Sequence, residues 1–241
     1  MSRAELAAEA LRVPAAPRLV GALREALSDF YFNSWRLVPA NAVWGLGVLL
    51  VLLAVSTAPI LFLVLVPLLA FPVVGLFRMG ALIARGESVA LSDAFGAWRR
   101  YLAPTLVAGI VSTAATIALV INVVFGATSD SFLGWTIAAL AGWGLLALWT
   151  GMLCFWPLLV DPARADATLR ERVRLAAVLP IAFPLRLGLM TVIIGVVMAV
   201  STVLFAALLT IALAYSALVA CRYVLPVADR LEGRATELVP E

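Results

Sequence analysis

The chain has no histidine and no lysine, and only two of its 241 residues, Cys154 and Cys221, are cysteine. Each absence removes a class of function. Without histidine there is no imidazole general base, and the His/Cys/Asp sets that hold zinc cannot be assembled. Both cysteines fall near arginine-bearing ends of hydrophobic runs, so they read as small packing residues on a reducing side rather than a disulfide. Charge is scarce too: 13% of the residues are charged, where a soluble domain carries about 25%. The first 36 residues mix acids and arginines ahead of any long hydrophobic run. That run is expected to be an uncleaved anchor rather than a signal peptide.

Apolar sequence fills the gap. Hydrophobic residues make up 64% of the chain, enough for several spans of about 20 residues, the length that crosses a hydrocarbon core of about 30 Å. The expected fold is an all-α integral membrane protein of six transmembrane helices. Spans are read at 38–56, 60–83, 104–126, 133–157, 183–200 and 203–224. Ser56-Thr57-Ala58-Pro59 divides the first two, because proline disfavours helix at the residue before it. Pro184 to Tyr223 holds only two charges, Arg186 and Arg222. As one helix that stretch would be about 60 Å long at about 1.5 Å per residue, twice the core thickness. It must fold back, and Ser201-Thr202 is the polar pair near its middle.

The arginines test this division. The N-terminal segment carries Arg3, Arg12, Arg18, Arg24 and Arg36, and the second connection Arg78, Arg85, Arg99 and Arg100. The fourth connection carries Arg164, Arg170, Arg172, Arg174 and Arg186, and the C-terminal segment Arg222, Arg230 and Arg234. Together these are all 17 basic residues; the other three connections hold only Asp130 as a charge. Basic residues stay cytoplasmic, so both termini are expected there. The chain then divides into a cytoplasmic amphipathic segment (1–36), a membrane domain (37–228) and a polar tail (229–241).

Segments ahead of the spans carry a second pattern. In "LSDAFGAWRRYLAP", Leu91, Phe95, Trp98 and Leu102 share one helical face, and Ser92, Asp93, Gly96, Arg99 and Arg100 the other. Such a helix can lie on the membrane surface, apolar side down, with arginines reaching lipid phosphates; packing on neighbouring helices is the competing reading. Leu19, Val20, Leu23, Leu27, Phe30 and Tyr31 make a similar stripe ahead of "NSWRLVPANAVWG", and Leu169, Val173 and Ala176 a weaker one before span five. Three hairpins, each introduced by an interfacial amphipathic helix, are therefore expected. Trp35, Arg36, Phe95, Trp98, Arg99 and Arg100 are the candidate lipid- or partner-facing residues.

The order "DFYFNSWRLVPANAVWG", "PLLAFPVVGLFRMGALIARGESVALSDAFGAWRR", "CFWPLLVD" and "AYSALVACRYVLPVADRL" resembles the YesL-like family of bacterial membrane proteins, a family named for a domain of unknown function. The resemblance covers most of residues 25–231. It implies a bacterial cytoplasmic-membrane protein with an accessory role beside carbohydrate uptake systems, and it supplies no catalytic residues.

Little else points to chemistry. No Asp, Glu or Arg lies near a span midplane, where a proton- or sodium-coupled transporter keeps an ionisable group. Ser112, Thr113, Thr116, Asn122, Thr191, Thr210, Tyr215 and Ser216 remain, and such hydroxyls usually bond their own backbone or a neighbouring helix. Pro67 and Pro72 are expected to kink span two rather than open it. Ala206, Thr210 and Ala214, and Ala212, Ser216 and Ala220, place small residues at four-residue spacing in span six, which suits close helix packing. Trp143 and Trp149 read as core or lipid-facing rather than a sugar platform. Glu87, Asp93, Asp161 and Asp229 lie at span ends, where carboxylates are routinely solvated, and no phosphate-binding glycine loop accompanies them. The expectation is a non-enzyme without cofactor or metal, acting as an accessory or assembly protein. Its expected partners are membrane lipids, transporter subunits or another copy of itself, with no nucleic acid. The alternative is an uncoupled small-solute transporter or channel lined by the hydroxyls of spans three and six.

Overall fold

A computed structural model describes residues 18–233. Among these every regular element is a helix, and six helices are long and apolar enough to cross a membrane. That is the architecture of a multi-pass all-α membrane protein. The helices are α1 (Leu19–Thr57), α2 (Pro59–Leu68), α3 (Ala70–Ala84), α4 (Leu91–Arg100), α5 (Leu102–Thr128), α6 (Phe132–Val160), α7 (Leu169–Ala182), α8 (Pro184–Val203), α9 (Phe205–Thr210) and α10 (Ala212–Leu231). A 3₁₀ turn, Pro162–Arg164, joins α6 to α7. Arg3, Arg12, Arg234 and most of the expected polar tail lie outside the described residues.

Two boundaries differ from the sequence reading. Helix α1 continues unbroken through Arg36 and Pro39, so the stripe at 19–31 and the first span form one element. That element is bent. The Tyr215 hydroxyl donates to the Leu23 carbonyl, and the Asn41 side chain accepts from the neighbouring Ala214 amide. In a straight helix Leu23 and Asn41 would stand about 27 Å apart, farther than those two adjacent contacts reach. Pro39 sits between them without the amide that would bond back one turn. The sixth span also differs: α8 runs to Val203, past Ser201-Thr202, and the long final helix starts only at Ala212, after the short α9.

Span two is interrupted only at Leu69, which keeps helical φ and ψ and still donates to Leu65 and Val66, so the helix is not opened there. Helix α10 packs parallel to α3, with the Cys221 thiol on the Phe77 carbonyl and Gly80 against Ala217 and Cys221. Helix α10 itself begins only after the break at Ile211. A helix broken within a bilayer leaves backbone groups that lipid cannot satisfy. Asn41 satisfies two of them: its amide donates to the Leu208 carbonyl at 2.9 Å and accepts from the Ala214 amide at 2.8 Å.

Helix α10 is the hub. Its apolar window is 83% buried, against 6% for α5. It packs chiefly on α1 and α3 rather than on its chain neighbour α8, while α5 and α6 pair along the flank. Spans one and two, three and four, and five and six are thus not packed alike. Alanines recur on the contact faces of the amphipathic segments. Helix α4 buries Ala94, Ala97 and the following Tyr101, with Ala94 against Gly75 of α3, while Phe95 and Leu102 are exposed. Helix α1 buries Ala22 and Ala26 and exposes Val20, Leu27 and Tyr31; α7 buries Arg172, Ala176 and Leu179 and leaves Leu169 and Val173 exposed. In each case part of the large apolar stripe is left outside the helix contacts, open to lipid or a partner. Small residues bring helix backbones close, and lipid is as good an environment for leucine as another helix is.

Candidate functional site

Three helix C-termini, those of α3, α6 and α10, converge at the arginine-bearing end of the bundle. Each terminus carries unpaired carbonyls and the negative end of a helix dipole, and arginines meet both. Arg78 donates to the Val160 carbonyl at 2.7 Å, and Arg172 to the carbonyls of Leu159, Arg164, Ala165 and Ala167. This explains why Arg172, on a segment expected to face solvent or lipid, is buried.

An ion-pair cluster sits on these termini. Arg85, which caps α3, forks onto Asp161 at 3.0 and 2.6 Å and reaches Asp229 at 2.7 Å. Arg164 bonds the same two carboxylates and adds Glu232 at 2.7 Å. Asp161 also accepts from the Ala163 amide, capping the 3₁₀ turn. Asp161 is 0% exposed, Arg164 2% and Asp229 4%. Burial works against the charge on Arg85 and Arg164, but the paired carboxylates outweigh it and hold both guanidiniums more firmly protonated than usual. The expectation that Asp161 and Asp229 are solvated helix-end carboxylates is therefore corrected: they are buried and clamped between arginines. Asp93 does serve a first helical turn, accepting from the Ala90 amide at 2.7 Å, and Glu87 is exposed. A second ion pair, Arg222 on Asp29 at 2.6 Å, ties α10 to the N-terminal half of α1.

The residues singled out from sequence form local pairs around this cluster. Arg36 stacks over the exposed Trp35 ring at 4.3 Å. Phe95 meets Trp98 edge-on at 5.0 Å, and Arg100 lies over Tyr101 at 5.6 Å. Arg99 and Arg100 are exposed; Trp98 is half-buried against the core, with its indole N–H enclosed and unpartnered. Asp161 and Asp229 were weighed only as solvated carboxylates, and Arg85, Arg164, Glu232 and Asn41 were not among the candidates. The one available signal was that Arg85, Asp161 and Asp229 stand at the ends of spans whose arginines share a side.

Below the cluster, between spans, lies a chamber of about 300 Å³. Its wall includes Trp44 of α1, Phe62 to Phe77 of α2 and α3, Gly109 to Ile117 of α5, Trp149 to Trp156 of α6, Met198 and Leu213. Ser112, Thr113 and Thr116 are its only hydroxyls. The hydroxyls of span six turn elsewhere: Thr210 and Ser216 bond Ala206 and Ala212 of their own helices, and Tyr215 bonds Leu23. Thr191 pairs with Thr150 at 2.9 Å. The chamber is thus apolar, not a path lined by hydroxyls from both spans. Trp149 lines it and Trp143 is exposed; both cysteines are buried and unpaired. Among the described residues no cluster of His, Cys, Asp and Glu is arranged to hold a metal ion.

No family model, no curated protein and no solved structure matches this chain.

Proposed function

We propose that this protein is a non-catalytic accessory or assembly protein of the bacterial cytoplasmic membrane, with both termini cytoplasmic, offering an aromatic and arginine-rich cytoplasmic surface to lipid and to partner subunits. One observation carries the reading: the buried carboxylates are consumed by Arg85 and Arg164, while Trp35, Arg36, Phe95, Arg99 and Arg100 are left at least partly open at the surface. A carboxylate clamped by two guanidiniums is a poor proton acceptor, and its geometry serves the scaffold. On this reading α4 and the first half of α1 lie along the membrane surface, where each arginine near anionic lipid contributes about 1 kcal/mol. The YesL-like resemblance extends the proposal to carbohydrate importers as the partners.

Two measurements test it. Reporters fused after Glu241 and after Arg100 should both read cytoplasmic, and one inserted at Asp130 external; an external C-terminus would end the topology and the surface assignment together. Mild-detergent purification should recover membrane subunits with the wild type. The doubly reversed variant Arg99→Glu/Arg100→Glu should insert and accumulate normally but lose those subunits. Unchanged recovery would remove α4 from the interface.

The uncoupled transporter remains the second reading, supported by the break at Ile211 and by the chamber, since discontinuous helices build transporter sites. Against it, the Leu208 carbonyl and Ala214 amide are already bonded by Asn41, and the chamber offers a polar solute few partners.

A further inference from the structure

The chamber calls for an occupant other than water or a sugar. Along span two its wall runs from Phe62 to Phe77, about 22 Å at 1.5 Å per residue. It is therefore long and narrow, and it follows the spans rather than crossing them. Five aromatic rings, Trp44, Phe62, Phe77, Trp149 and Trp156, line it with aliphatic side chains. Water needs two to four polar partners to settle in a cavity. Ser112 already bonds the Gly109 carbonyl, and Thr116 has its hydroxyl enclosed with no partner at all. Left empty, a space twice the size of an apolar cavity that admits benzene, about 150 Å³, would forfeit dispersion contacts along its whole wall. Trp149 is both part of the wall and half exposed at 50%, so the chamber reaches the lipid-facing flank of α6.

We propose that this chamber is a binding site for a single hydrocarbon chain of a membrane amphiphile, drawn in from the bilayer beside Trp149. The chain lies along span two between α5 and α6. The length is the reason for a chain rather than a compact ring system. It exceeds the about 15 Å that one leaflet contributes to the core, so the occupant extends past the midplane. Acyl and isoprenoid chains share this chemistry, and the experiment separates them. The inference does not depend on the accessory reading above.

The test uses the full chain in nanodiscs with a fatty acid bearing a photoactivatable diazirine near its tail, followed by peptide mapping. Cross-links should concentrate on chamber positions, Ser112 to Ile117 and Trp149 to Leu153. Excess oleate or excess geranylgeraniol should each be tried as competitor; whichever abolishes the inner cross-links names the source of the chain. Ser112→Phe, which places a ring across the chamber, should remove the inner cross-links while leaving those on the outer face of α5, at Val107, Val111 and Phe125, unchanged. The wild-type pattern is decisive even if Ser112→Phe fails to fold. Cross-links confined to the outer face of α5, or inner cross-links that neither competitor reduces, would overturn the proposal.

Discussion

Asp161→Ala should be among the most damaging single substitutions in this protein. It removes the carboxylate on which Arg85 and Arg164 both converge, leaving two guanidiniums in a buried site with one fewer anion. Breaking a buried pair from one side costs about 3–5 kcal/mol, because the surviving charge is stranded. It also removes the cap on the Pro162–Arg164 turn, and with it the path by which Arg172 reaches the end of α6. The midpoint of heat-induced loss of the monodisperse peak in mild detergent should fall on the order of 10 °C. Glu232→Gln is the control: that carboxylate is partly exposed, and exposed pairs contribute about 0–1 kcal/mol. Equal shifts for the two variants would show that the cluster is a solvated surface network instead.

Asn41→Leu should have an effect of comparable size for a different reason. The substitution preserves bulk and apolarity, yet it strips the Leu208 carbonyl and the Ala214 amide of their partner at the break between α9 and α10. Each unsatisfied backbone group in hydrocarbon costs several kcal/mol, so the break must rearrange or the helices must part. The expected readout is a large loss of thermal stability, together with new thiol reactivity of a cysteine placed at Leu208, which is buried in the wild type. Thr210→Val lies one turn away and loses only a hydroxyl bonded within its own helix; it should be near neutral. A stable, unreactive Asn41→Leu protein would mean that the break needs no support from α1.

These two sites mark where sequence reading stopped. Asn41 is a lone amide just after Pro39 in a run of apolar residues, with nothing local to give its partners away. They lie 167 and 173 positions later in the chain. Asp161 and Asp229 sit where solvated carboxylates usually sit, and only the convergence of three helix ends turns them into a buried core. The amphipathic stripes left open which of their sides meets lipid and which meets a neighbouring helix. A hydrophobic stripe marks the face that avoids water, but inside a membrane two surfaces satisfy that condition. Which side meets helix and which meets lipid is decided by close approach, hence Ala94, Ala97, Ala22 and Ala26 rather than Phe95 and Leu27.

By itself the sequence determined the class of fold and the number of spans, because the bilayer sets both through length and apolarity, which are local properties. It also determined that all the arginines belong to the same set of connections, a pattern visible without any contact. Tertiary structure alone decided that arginines from two of those connections would meet carboxylates from the end of α10 in a buried cluster. It decided equally that Asn41 of α1 would bond across the break before α10, and that an apolar chamber would open between α2, α3, α5 and α6. Each of these needs residues far apart in the chain to be neighbours, and that proximity is set by which small residues let which helices approach.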